Sequence, residues 1–259
     1  MIAIPYICEA TDLYIIKQWH LAPKMRTLDI QASKQLPQFT NQKDIFLKLK
    51  EMVNKGKLKT ILSEGCEGII DSTFPTKHYG WGYEELEEYL KSPVYSDIMA
   101  LVPLKLEVLY KKKINIVCSD SVSLMEKNNL AFSDLRAFWG YYIRLVQYKQ
   151  KSPQKYRRYS QSLFKDVPKM YQHMAPEEYA KFMAKESLKD FNLYVHQRNK
   201  IIIKTFKKHK KPAALVIGAI HAEDLAEQLG KTYKVKVITP KGMPKNADSL
   251  MKELQKALN

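Results

Sequence analysis

Apolar residues in this chain fall into short runs separated by polar, helix-compatible stretches. The pattern predicts strand, helix, strand, helix, strand through the first half. Leu13–Ile16 reads as a strand, followed by a helix around Lys43–Asn54, the turn Asn54-Lys-Gly-Lys57 and a strand at Leu58–Leu62. Ser72–Gly82 is rich in turn formers. Helices are expected at Tyr83–Lys91 and at Ser96–Lys111, where Ile98, Leu101, Leu104 and Val108 recur at helical spacing; Ile114–Cys118 is the third strand. From about Leu130 to Gln197 the reading is helical without strands. The alternation then resumes with a helix at Asn199–Lys208, a strand at Ala213–Ile217, a helix at Ala222–Leu229 and a strand at Tyr233–Ile238. Asp248–Leu258 is amphipathic, and its stripe of Leu250, Met251, Leu254 and Leu258 is expected to dock on the sheet.

Strands alternating with helices imply an α/β fold: a mostly parallel sheet flanked by helices through right-handed crossovers. The all-helical stretch, about 121–197, is expected as a lid inserted into one domain covering residues 1–259.

Open parallel sheets bind ligands just beyond the carboxyl ends of their strands. Four chemistry-bearing residues follow the apolar runs: His20, Glu64, Asp120 and His221. Each histidine lies four residues beyond an isoleucine, Ile16 and Ile217, which suggests related halves and one shared pocket. A histidine beside a strand is often only a hydrogen-bonded core residue; the matched offsets favour function for this pair. Asp120 also reads as a helix N-cap.

Charge adds a second theme. The 259 residues carry a formal net charge of +16, which favours anionic partners without naming one. From Arg136 to Gln172 there are nine Lys or Arg, one acid (Asp166) and nine aromatics. Such a segment grips phosphates and stacks on bases, or caps a membrane surface, or packs its aromatics on the core while its lysines stay solvated. The last reading is preferred, and no recognised nucleic-acid motif is present. Cys8, Cys66 and Cys118 show no paired spacing; Cys66 and Cys118 are read as small structural residues. No apolar stretch is long enough to span a bilayer, and the first residues do not read as a secretory signal, so the expectation is a cytosolic protein or one whose signal has been removed.

The motifs resemble a known superfamily. Lys17-Gln-Trp-His20 looks like the first G-x-x-H segment of the TraB/PrgY and Tiki proteins, a family grouped with erythromycin esterase and ChaN-like proteins. Ser63-Glu64-Gly65 is similar to the glutamate-glycine segment that follows there. Gln197-Arg198-Asn199 and Gly218-Ala-Ile-His221 resemble the arginine-asparagine helix and the second G-x-x-H. One departure is Lys17, which stands where the first motif has glycine. The resemblance implies an α/β fold with a helical insertion, and a pocket of His20, Glu64, His221 and Arg198.

Two imidazoles and a carboxylate are a common first shell for a divalent metal, so His20, Glu64 and His221 are the expected ligands of a divalent metal ion. Without metal, His20 is a candidate base oriented by Glu64. Arg198 would hold a substrate carboxylate or an oxyanion. The expected activity is metal-assisted hydrolysis of a peptide or ester bond in a peptide or small, possibly anionic, substrate. The alternative is a non-catalytic binding protein for a porphyrin-like ligand or an anionic polymer, using the basic aromatic helices. Nucleic acid and membrane surfaces are further candidate partners.

Overall fold

The computed structural model describes residues 11–19, 36–68, 70, 106, 114–165, 167–245 and 250–258. The expected helices at Tyr83–Lys91 and Ser96–Lys111 and the turn-rich Ser72–Gly82 lie outside them, Leu106 apart; so do His20 and Cys8.

Five strands form one sheet: β1 (Leu13–Gln18), β2 (Thr60–Ser63), β3 (Asn115–Cys118), β4 (Ala213–Gly218) and β5 (Val235–Ile238). Their order is β3-β2-β4-β1-β5, and every pairing is parallel. This is the expected α/β fold. All of β4 and β2 is buried, which is why both read as unbroken apolar or small-residue runs rather than alternating ones.

Each face of the sheet carries its own core. On one, Leu13, Ile15, Leu62, Leu215 and Ile217 pack with Ile202, Phe206, Ala222 and Leu225. On the other, Ile16, Ile61, Ala214 and Val216 pack with Ile45, Leu49 and Met52 of α1 (Pro37–Asn54). Helix α1 begins six residues before the expected Lys43. Its first turns carry Gln38, Asn41 and Gln42, buried polar residues that hide the helical period from a hydrophobicity reading. They have work in the fold. Asn41 Oδ1 accepts the Trp19 N–H at 2.8 Å, and Gln42 Nε2 donates to the Trp19 carbonyl at 2.8 Å, so α1 clamps the chain where it leaves β1.

The remaining helices are α2 (Val122–Lys151), α3 (Pro153–Phe164), α4 (Pro176–Lys208), α5 (Ala219–Gly230) and α6 (Leu250–Leu258). The chain divides into two compact units, a sheet unit (1–122 and 199–249) and a helical unit (123–198 and 250–259), with α4 contributing to both. The helical unit has its own core: Leu145, Leu163, Val167, Tyr179 and Ala180 in one cluster, Leu135, Ala184, Leu188 and Leu258 in another. The C-terminal helix therefore packs its stripe on helices, through Leu254 and Leu258, and not on the sheet as expected. Many aromatics of the basic segment, among them Phe138, Tyr142, Tyr156 and Phe164, also pack into this core.

A second correction concerns cysteine. Cys66 and Cys118 form a disulfide across a sequence separation of 52, although their spacing gave no sign of pairing. The parallel pairing of Ser63 with Cys118 brings the end of β3 beside the turn after β2. Among the described residues no helix is long and apolar enough to cross a membrane.

Candidate functional site

Glu64 and His221 do meet. β2 ends at Ser63, but the Glu64 N–H still donates to the Val216 carbonyl, which fixes Glu64 at the carboxyl edge of the sheet. β4 passes without a loop into α5, placing His221 in the first turn of that helix. The His221 Nε2 lies 3.5 Å from Glu64 Oε1, and both side chains are buried. Glu64 Oε2 accepts the Gly218 N–H at 2.6 Å, so the carboxylate also sits at the N-terminus of α5, where the helix dipole favours an anion.

The partner on the far side of the imidazole is Asn199, whose Oδ1 is 2.6 Å from His221 Nδ1. Asn199 Nδ2 donates to Asp224 Oδ2 at 2.6 Å, and a second Asp224 oxygen accepts from Gln228 Nε2 at 2.9 Å. A carboxylate only accepts, so the Asn199 amide is oriented with its oxygen toward the ring. His221 Nδ1 must then be the N–H. In a neutral ring the Nε2 lone pair consequently points at Glu64 Oε1. The chain Asp224–Asn199–His221–Glu64, buried except at Asp224, thus fixes the tautomer of its histidine and faces it with a carboxylate.

Asp120, the fourth strand-end candidate, is nearby in the fold but otherwise engaged. Its Oδ2 accepts the Gly65 N–H at 3.0 Å and its Oδ1 the Ser121 N–H at 2.8 Å. Gly65 has φ of +79°, a conformation that suits glycine, so Asp120 holds the turn that presents Glu64. The Cys66–Cys118 disulfide ties the same turn to β3. Glu67 accepts the Val122 N–H at 2.8 Å and so caps the start of α2.

Arg198, expected at the substrate, is buried in the helical unit, where its Nη1 donates to Asn128 Oδ1 at 2.8 Å. Its neighbour Asn199 is the member of that motif that the structure brings to His221. The signal lies in the sequence itself, where Asn199 directly follows Arg198 in the motif. Lys17 is buried at the end of β1, opposite Ile217. That register also revises the matched offsets: Ile217 pairs with Lys17, and Ile16 with Val216. A one-residue slip puts Ile16 and Ile217 on opposite faces, so the two isoleucines are not equivalent positions.

As for a metal, the described residues contain no group of three or more His, Cys, Asp or Glu able to hold one. Two donor atoms converge, His221 Nε2 and Glu64 Oε1; the third expected ligand, His20, is outside the described residues.

The helical unit offers a different kind of site. A groove of about 590 Å³ between α2 and α3 is lined by Tyr141, Arg144, Tyr148, Lys155, Arg158 and Tyr159, with Ser162 at its edge. Arg144 sits over the Tyr159 ring at 5.8 Å and Lys155 over Tyr148 at 5.5 Å. Among the described residues no carboxylate is in the lining. The neighbouring acid Glu177 is turned to other partners, accepting hydrogen bonds from Lys149 and from the Tyr156 hydroxyl. Burial, the largest single influence, pushes the Glu177 carboxyl up, but these two hydrogen bonds, a backbone hydrogen bond and the Lys149 charge together leave its pKa lowered. The Tyr156 hydroxyl is raised by burial and by its bond to Glu177.

No family model and no curated protein matches the chain. Among solved structures, one described as "Cofacial heme binding to ChaN of Campylobacter jejuni" is similar over 89% of this chain and 81% of that one, at 12% identity and a TM-score of 0.38. It falls on the ChaN side of the superfamily the motifs resemble, and nothing found reaches the narrower TraB, PrgY and Tiki assignment. At that TM-score the likeness carries no argument, and the α/β class rests on the sheet itself.

Proposed function

We propose that the protein binds an anionic ligand on the basic, tyrosine-lined flank of its helical unit. The observation that carries this reading is the groove in which Arg144, Lys155 and Arg158 stand among tyrosine rings, with no carboxylate among the described residues of its lining. Three cations gathered at one concave surface repel one another, and an anion entering there relieves that repulsion. The tyrosine faces supply flat contact area and seat the cations. Haem, which the ChaN structure is described as binding, is a flat anionic ligand of this general kind. The support for the present chain is the groove and not that distant likeness.

The test is titration with haemin, polyphosphate and a single-stranded oligonucleotide, followed by tyrosine fluorescence. At least one should bind, and Arg144→Glu/Arg158→Glu should weaken it by about tenfold or more. The reading fails if none binds, or if binding ignores the double reversal while the variant stays folded.

A second reading, hydrolysis at the strand ends, is favoured by the buried Glu64–His221 pair. In this reading Asn199 holds the histidine tautomer, the Gly218 N–H orients Glu64, and His221 takes a proton at Nε2. His221 Nε2 and Glu64 Oε1, with His20, are the donor set that would suit a divalent metal. When bound, such an ion supplies a water of lowered pKa. A panel of ester and peptide substrates, with metal analysis of the purified protein, tests it. Turnover unchanged in His221→Ala and Glu64→Gln would sink it, and metal content unchanged in His20→Ala/His221→Ala would remove the metal.

A further inference from the structure

In a parallel sheet all strands enter at one edge and leave at the other, so the two ends of the sheet unit differ in chemistry. Glu64 and His221 stand at the carboxyl edge. The amino edge carries lysine. Lys57 and Lys59 precede β2, Lys207, Lys208, Lys210 and Lys211 precede β4, and Lys231 and Lys234 precede β5. Lys211 is half-buried and the other seven are exposed.

Backbone hydrogen bonds fix these entries in a row. The Lys59 N–H donates to the Pro212 carbonyl at 2.8 Å, the Ala213 N–H to the Asp12 carbonyl at 3.0 Å, and the Asp12 N–H to the Lys234 carbonyl at 2.9 Å. At about 4.8 Å between neighbouring strands, the row from β2 to β5 spans about 14 Å. The His209 ring, 3.4 Å from the Asn115 side chain, ties the lysines ahead of β4 to the start of β3.

Helix ends account for part of this charge. α1, α4 and α5 all finish at this edge, and three negative dipole ends amount to roughly −1.5 elementary charges. The acids in the strand entries and the last turns of these helices are Asp12, Glu51 and Glu227. Asp12 accepts the Lys234 N–H at 3.0 Å, and Glu51 is paired with Lys55. The eight lysines exceed dipoles and acids together.

We infer that this edge rests on anionic lipid headgroups, a face by which the protein adsorbs to a negatively charged bilayer without entering it. The inference goes beyond the anionic-ligand reading and uses a different surface, in the sheet unit. Adsorbed in this way, the protein turns Glu64 and His221, at the far ends of the strands, toward solvent.

Three observations select that partner. The cations are all lysines, hydrated point charges that suit a broad charged surface; the planar fork of arginine, which grips individual phosphates, is missing from these entries. The Tyr233 ring is covered by Lys211 at 4.1 Å and by the edge contact with Phe206 at 5.1 Å, so it gives a nucleic-acid base no face to stack on. The described strand entries expose no large apolar side chain, and lysine is depleted from protein–protein interfaces, whose centres are apolar.

The experiment is co-sedimentation of the full chain with phosphatidylcholine vesicles, with and without phosphatidylserine. The protein should bind the phosphatidylserine vesicles alone. Partition should fall steeply between about 0.1 and 1 M salt, as the screening length shrinks from about 10 to about 3 Å. Lys59→Glu/Lys210→Glu/Lys231→Glu should lower it at least about fiftyfold, because each lysine near such a surface contributes about fivefold. Lys127→Glu/Lys151→Glu/Lys165→Glu makes the same change in net charge at exposed positions of the helical unit and should lower partition no more than about fivefold. In the parent protein, vesicles should protect Lys59, Lys210 and Lys231 from acetylation and leave Lys127 and Lys151 reactive.

No vesicle binding, or equal binding without phosphatidylserine, overturns the inference. So does an equal loss in the two folded triple variants, since net charge and not this edge would then be responsible. Acetylation of the edge lysines that vesicles leave unchanged overturns it without any variant. If Arg144→Glu/Arg158→Glu abolishes vesicle binding, the groove of the helical unit takes the lipid; the inference falls and the anionic-ligand reading stands. A duplex oligonucleotide that displaces the protein from vesicles of equal charge would assign the edge to nucleic acid instead.

Discussion

Arg198 and Asn199 are adjacent in sequence but point about 100° apart on α4. That angle divides their roles, with Arg198 bonded to Asn128 and Asn199 to His221 and Asp224. Asn199→Ala therefore strips a partner from a buried imidazole N–H and from a carboxylate at once. The expected loss is about 1–3 kcal/mol in urea unfolding. A loss below about 0.5 kcal/mol would mean that the amide bridges nothing of weight. At Glu177 the prediction concerns pH. Its folded-state pKa is lowered from an ordinary 4.5, so its contribution is present above that value and is lost as pH falls through the folded value. Lys149, raised by its bond to Glu177, contributes below the ordinary lysine range and loses that contribution as pH rises through its own folded value. Because the Lys149 side chain is 59% exposed, screening limits the pair. Glu177→Gln should cost about 1 kcal/mol or less at neutral pH. The measurable signature is a flatter acid limb in a plot of melting temperature against pH; an unaltered limb counts against the pairing.

Among the elements, α1 shows how a polar helix start can be dictated by its neighbours. Its first turns hold the exit of β1 through Asn41 and Gln42, and Gly242 lies against them. Gly242 has φ of +80°, and a Cβ there would meet the Pro37 carbonyl oxygen at 2.1 Å and the Asn41 backbone nitrogen at 2.8 Å. Backbone has to move to admit it. Gly242→Ala should destabilise the protein by about 1–3 kcal/mol, combining left-handed strain with that clash. Amide exchange should accelerate in the first turns of α1. Exchange that is unchanged there would place the contact elsewhere.

For the whole molecule, the Cys66–Cys118 disulfide ties the turn after β2 to the end of β3, in the sheet unit that holds Glu64 and His221. With three cysteines in the chain and two in the bond, thiol titration of unreduced, denatured protein should find one reactive group, Cys8. Finding three would remove the bond. Cys66→Ser/Cys118→Ser should lower stability by about 2–4 kcal/mol, chiefly by freeing the unfolded chain.

The α/β class and the approximate places of all five described strands could be read from the sequence. Strands buried on both faces must be apolar or small throughout, and turns and helices must interrupt them. That Glu64 and His221 meet was legible too, through their positions after such runs and the resemblance of their motifs. The order β3-β2-β4-β1-β5, the register of β1 on β4 and the pairing of Cys66 with Cys118 were decided only in three dimensions. So was the choice of Asn199 over its neighbour as the partner of His221. Hydrophobic period is a local property and reports which face of an element is buried. Strand order, register and a buried amide's partner depend on contacts between residues far apart in the chain, such as the 154 positions separating Glu64 from Gly218.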